Sequence, residues 1–134
     1  MPRDVNFIST KAGPTNGSNV DTTAFDTGLR PGQSDVVPYD VDLDVAWGQM
    51  AESAGNKTLT FTLQDSADNI TFTSLGITYQ ISSGAVTKVF ASGSKRFRIP
   101  ATARQYVSVN IALESGADDL DSELFTTALI FKET

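Results

Sequence analysis

Residues 39–47, YDVDLDVAW, alternate without a break: Tyr39, Val41, Leu43, Val45 and Trp47 fall on one side, and Asp40, Asp42, Asp44 and Ala46 on the other. Successive side chains of a strand point to opposite faces, so a period of two describes a strand with one buried and one wet face. A helix would scatter the same apolar groups around its circumference. The pattern returns in Leu59, Phe61 and Leu63, in Phe97 and Ile99, in Val107, Val109, Ile111 and Leu113, and in Phe125, Leu129 and Phe131. Antiparallel pairing with one solvated side explains it best.

Working outward from that stretch, the spacing predicts strands over 20–25, 39–47, 58–64, 70–73, 77–82, 86–91, 95–99, 106–114 and 124–132, parted by clusters of Gly, Pro, Asn, Asp and Ser. Many short strands at such intervals point to a sandwich, a jelly roll or a barrel. Residues 29–37, LRPGQSDVV, and 48–57, GQMAESAGNK, read as projecting loops, with a short helical turn over Met50 to Ser53. Ser83-Gly84 and Ser92-Gly93-Ser94 read as tight hairpin turns, because glycine accepts positive φ at little cost. Residues 1–19 stand apart: they are rich in Gly, Asn, Ser, Thr and Pro, and their one apolar cluster is Val5, Phe7 and Ile8. They read as an extended arm on a single domain of residues 20–134. Fully extended, the arm reaches about 60 Å, against a radius of gyration near about 14 Å for a domain of this length.

Composition narrows the chemistry. The 134 residues contain neither His nor Cys. Ser-His-Asp and Cys-His nucleophiles, disulfides and thiolate or imidazole metal sites are therefore excluded. Carboxylate pairs remain, as in glycosidases, but no pair is marked out by the sequence, and the expectation is a protein that binds rather than catalyses, with no cofactor. A net charge of −6 argues against nucleic acid as partner, since phosphate binding needs clustered cations. No apolar run is long enough to span a bilayer, and MPRDVNFISTKAG lacks the apolar segment of a signal peptide, so a soluble, unprocessed chain is expected.

Charge clusters carry two readings each. Lys95, Arg96 and Arg98 put three cations in four residues, with Arg96 and Arg98 on one strand face. Either they pair across strands with the Asp40, Asp42 and Asp44 row, or they contact an acidic partner. Asp118, Asp119, Asp121 and Glu123 are oxygen ligands of the kind calcium takes, but their spacing is not that of an EF-hand, and a solvated acidic loop is the simpler account. Trp47 and Tyr106 would form a sugar-stacking platform if exposed and are packing residues if buried.

Residues 58–76, TLTFTLQDSADNITFTSLG, and 94–119, SKRFRIPATARQYVSVNIALESGADD, resemble the small jelly-roll capsid cement proteins of tailed bacteriophages. The likeness lies in a strand ending Leu63-Gln64-Asp65-Ser66 followed by Ala67-Asp68, and in the strand opened by Gln105-Tyr106-Val107 and closed by an acidic, Gly-containing loop. It covers about half the chain, and its motifs are structural. The resemblance implies an antiparallel jelly-roll sandwich with an extended N-terminal arm, located on the outer surface of the virion, which clamps neighbouring copies of the major capsid protein and acts as a homo-oligomer, dimer or trimer. Candidate contacts are Arg3, Phe7 and Ile8 in the arm, Arg30 in the first projecting loop, and Arg96 and Arg98 on the basic strand. A carbohydrate-binding sandwich and a tail or fibre component are the alternatives.

Overall fold

A computed structural model describes residues 8–27, 39–100 and 102–133 of the chain. Every regular element in it is a strand: β1 (Ile8–Ala12), β2 (Asn19–Asp21), β3 (Phe25–Asp26), β4 (Tyr39–Trp47), β5 (Met50–Ala51), β6 (Thr58–Ser66), β7 (Thr73–Ser82), β8 (Val89–Phe90), β9 (Gly93–Arg98), β10 (Tyr106–Leu113) and β11 (Leu124–Glu133). The first sheet runs β1-β11-β4-β9. The second runs β2-β10-β6-β7, with β3 also on β10, and β5 pairs β8 in a separate ladder. All pairings are antiparallel. The chain therefore builds the antiparallel β-sandwich that the alternation predicts, passing repeatedly from one sheet to the other.

The alternating residues meet between the sheets. Leu43, Val45, Phe97, Phe125 and Leu129 of the first sheet pack against Leu59, Phe61, Leu63, Val107, Val109 and Ile111 of the second, all of them buried. Burying one such side chain contributes about 1.5–3 kcal/mol, and this shared layer is what holds two otherwise separate sheets together. Trp47 stacks on Phe61 with centroids 4.8 Å apart and donates its indole N–H to the Ala91 carbonyl at 2.9 Å. Met50 and Phe90, opposite each other in the β5–β8 ladder, extend this core beyond the sheets.

Several local expectations change. Met50 to Ser53 begins with β5 and is not a helical turn. Ser83-Gly84 does not close a hairpin, because β7 pairs with β6 and the chain leaves it for the β5–β8 ladder. Ser92-Gly93 leads into β9, whose partner is β4, and is no hairpin turn either. Residues 73–82 form one strand, irregular at the Leu63/Gln64 step, where Gly76 takes φ +77. Of the segment read as an arm, residues 8–19 are described, and they are built into the sandwich. Ile8–Ala12 pairs with β11 from Ala128 back to Leu124, and Gly13 donates to the Glu123 carbonyl while Leu120 donates to that of Pro14, both at 2.9 Å.

Candidate functional site

The outward face of the first sheet gathers the candidate contacts. Its central strands turn Leu43, Val45 and Leu129 inward, so Asp42, Asp44, Ala128 and Ile130 point away from the core. Strand register then fixes their neighbours. Ile8, Ala128, Asp44 and Arg96 form one row across four strands, and Ile130, Asp42 and Arg98 the next. Four strands span about 14 Å at ordinary spacing. Ile8, Arg96 and Arg98, from two distant places in the sequence, thus share one face. Arg3, Phe7 and Arg30 lie outside the described residues.

That face is not the wet row the alternation predicts. Asp42 and Asp44 are only 2% and 8% exposed, and Ala128 and Ile130 beside them only 1% and 7%. A carboxylate withdrawn from water needs an opposite charge or donors, and the register sets Arg98 opposite Asp42 and Arg96 opposite Asp44. Directly opposed side chains have Cβ atoms about 4.5–5.5 Å apart. Both arginines remain exposed at the edge strand. On the other flank the face is apolar, with Ile8 40% and Leu124 60% exposed. Leu124 escaped the sequence reading. Its signal was its even position beside inward Phe125, which places a leucine on the outer side of β11.

The remaining candidates are occupied in other ways. Asp118 accepts hydrogen bonds from the Ser53 N–H and hydroxyl, both at 2.9 Å, and the Ser53 N–H in particular holds its carboxyl below the usual range. In return the Asp118 N–H donates to both oxygens of the fully buried Glu52, at 3.0 and 2.8 Å. Asp119 accepts from the Asn16 N–H at 2.8 Å, and the Asn16 side-chain oxygen accepts from the Gly116 N–H at 2.7 Å. The acidic loop is thereby stitched to two neighbouring loops. Among the described residues, no three carboxylates converge as metal ligands would. Trp47 is buried and Tyr106 half-buried on the outer side of the other sheet, so the two form no joint aromatic platform.

At the opposite end, Asp65 and Arg104 form a fork. The Arg104 backbone N–H donates to one Asp65 oxygen at 2.9 Å, and its Nε and Nη2 donate to the other at 3.2 and 2.8 Å. Burial pushes the Asp65 carboxyl up, but the Arg104 hydrogen bonds and charge outweigh it and the pKa is lowered. Next to it, Asp68 accepts from the N–H groups of Thr71 and Ile70 and from the Ser66 hydroxyl, which brings its pKa down to about 2.

No protein-family model matches this chain, and no curated protein matches it. Among solved structures it is similar to PirA, known from a crystal structure, with a TM-score of 0.53 over 97% of this chain and 99% of that one at 11% sequence identity. At so low an identity the likeness speaks to the β-sandwich alone.

Proposed function

We propose that this chain is a non-enzymatic capsid cement protein, binding the outer surface of a phage head and bridging neighbouring copies of the major capsid protein. The observation that carries this reading is the pair of exposed margins of the first sheet, Ile8 and Leu124 toward one edge and Arg96 and Arg98 on the other, with a buried row between them. Exposed margins of this kind suit protein contact, in which a few apolar and arginine anchors dominate a larger interface. Repetition over a shell then turns modest contacts into firm attachment.

The sequence motifs behind the resemblance also meet in space. Asp65 and Ser66 of the Leu-Gln-Asp-Ser strand pair with Val107 and Tyr106, and Asp65 is gripped by Arg104, which directly precedes the Gln-Tyr-Val run. Their association gives the shared motif a structural purpose, namely locking β6 to β10. The sheet orders β1-β11-β4-β9 and β2-β10-β6-β7 support reading the sandwich as a jelly roll, since successive strands of these two paths cross from one sheet to the other at every step except β6 to β7.

Co-sedimentation with mature, undecorated phage capsids and with procapsids tests the proposal. Saturable binding to mature shells is expected, weakened by Leu124→Asp and by the double variant R96S/R98S. Failure of the folded wild-type protein to bind any shell would overturn it.

A further inference from the structure

Edge strands expose unpaired N–H and C=O groups, and proteins guard them with charge, proline, short length or an inward-pointing charged side chain. Among the described residues, three of the four edges of the two sandwich sheets are guarded. β1 is five residues long and carries Lys11, and on the far side of β10 the edge is split between the three residues of β2 and the two of β3, each with an aspartate. β9 carries Arg96 and Arg98 outward and turns Lys95 inward, its Nζ 5.3 Å from the Tyr79 ring centre.

β7 is the exception. Its ten residues, TSLGITYQIS, contain no charge and no proline, and among the described residues it pairs only with β6. The irregularity at Leu75 and Gly76 interrupts the pairing near its start and leaves Ile77 to Ser82 in unbroken register with β6. The inward side chains Ile77, Tyr79 and Ile81 pack against the core yet remain partly exposed, Tyr79 to 36%.

We infer that β7 is a self-association edge, on which a second copy of this chain lays its own β7 antiparallel across a two-fold axis, joining two four-stranded paths into one continuous sheet. The choice of a second copy follows from charge. Across a two-fold the strand meets its own copy in reverse, so a charge near the axis is brought close to its own like charge, which is destabilising. β7 has none, whereas each other edge of the two sandwich sheets carries at least one. A two-fold perpendicular to the sheet keeps both inner faces on the same side, so Ile77, Tyr79 and Ile81 of the two copies would cover one another. This inference does not rest on the capsid reading.

Sedimentation equilibrium over a concentration series should give a dimer of the 14.3 kDa chain, and Thr78→Lys, at an exposed outward position, should weaken association by at least about tenfold. Because the native chain has no cysteine, the variant T78C/Q80C provides a second test. Mild oxidation should give a disulfide-linked dimer, while a single cysteine at exposed Ser92 should not. A monomer at all concentrations would overturn the inference. So would a trimer, since an isologous edge closes at two, or a dimer indifferent to T78K with no crosslink from T78C/Q80C.

Discussion

At the level of single residues, carboxylates do the stitching. Asp65, Asp68 and Asp118 each hold backbone or side-chain donors from another residue, and each has its pKa lowered from 3.8. A carboxyl whose folded pKa is depressed contributes stability that is complete above its unfolded pKa and is lost as the pH falls through the folded value. The fold should therefore hold its full share from these groups above 3.8 and lose it progressively toward about 2, where Asp68 titrates. Urea denaturation across that window should show the decline, and Asp68→Ala should flatten it. Arg104 has a raised pKa, so its contribution stays complete far into the alkaline range. Arg104→Ala strands Asp65, whose side chain is only 6% exposed, and should cost about 2 kcal/mol at neutral pH, a typical value for lost charged hydrogen bonds. An unchanged denaturation midpoint would mean that the fork is ornamental.

At the level of elements, the segment before β2 tests how far the sandwich extends. A Cβ added at Gly13 would lie 2.5 Å from the Leu120 carbonyl oxygen and 2.9 Å from the Phe125 ring. Gly13→Ala should therefore destabilise the whole domain by about 1–3 kcal/mol, the usual cost of overpacking, as read from a thermal melt. If residues 8–19 were an independent arm, the melt would not move. A chain starting at Val20 should likewise melt lower, having lost β1 and the Asn16–Asp119 tie, so shell-binding tests with that truncation need a stability control. These elements also show what the sequence made legible. β4 was readable to the residue because it is central, with a full alternating row against the core. β1 was not, because ISTKA is an edge strand with four of its five residues exposed, and an edge strand need not alternate. β5 and β8 are two residues each, too short for any period. The shared face of Arg96 and Arg98 followed from alternation alone, whereas the place of Ile8 in the same row depends on pairing between β1 and β11, over a hundred residues apart. Such long-range pairing leaves no local trace in the chain.

At the level of the whole molecule, most of the stabilising pairs join distant parts of the sequence, and sandwiches of this kind fold slowly because loops must close before non-local contacts form. Trp47, the only tryptophan, lies stacked on Phe61 between the sheets and reports on that assembly. Stopped-flow refolding followed by its fluorescence should fall in the millisecond-to-second range. A microsecond phase carrying the full amplitude would contradict so non-local an architecture. The adjacency of β1 and β11 has a mechanical side as well. Because they are antiparallel, Ile8 and Glu133 lie toward the same end of the pair, and a pull between them acts across the strands, along the direction of their hydrogen bonds. The pairs from Ile8–Ala128 to Ala12–Leu124 are then loaded one after another. An optical trap with handles at those two points should register an early, low-force release of about 17 Å, the length of five extended residues, before the remaining sandwich yields. Tension is resisted by the joined sheets, and the seam between first and last strands is the tear line.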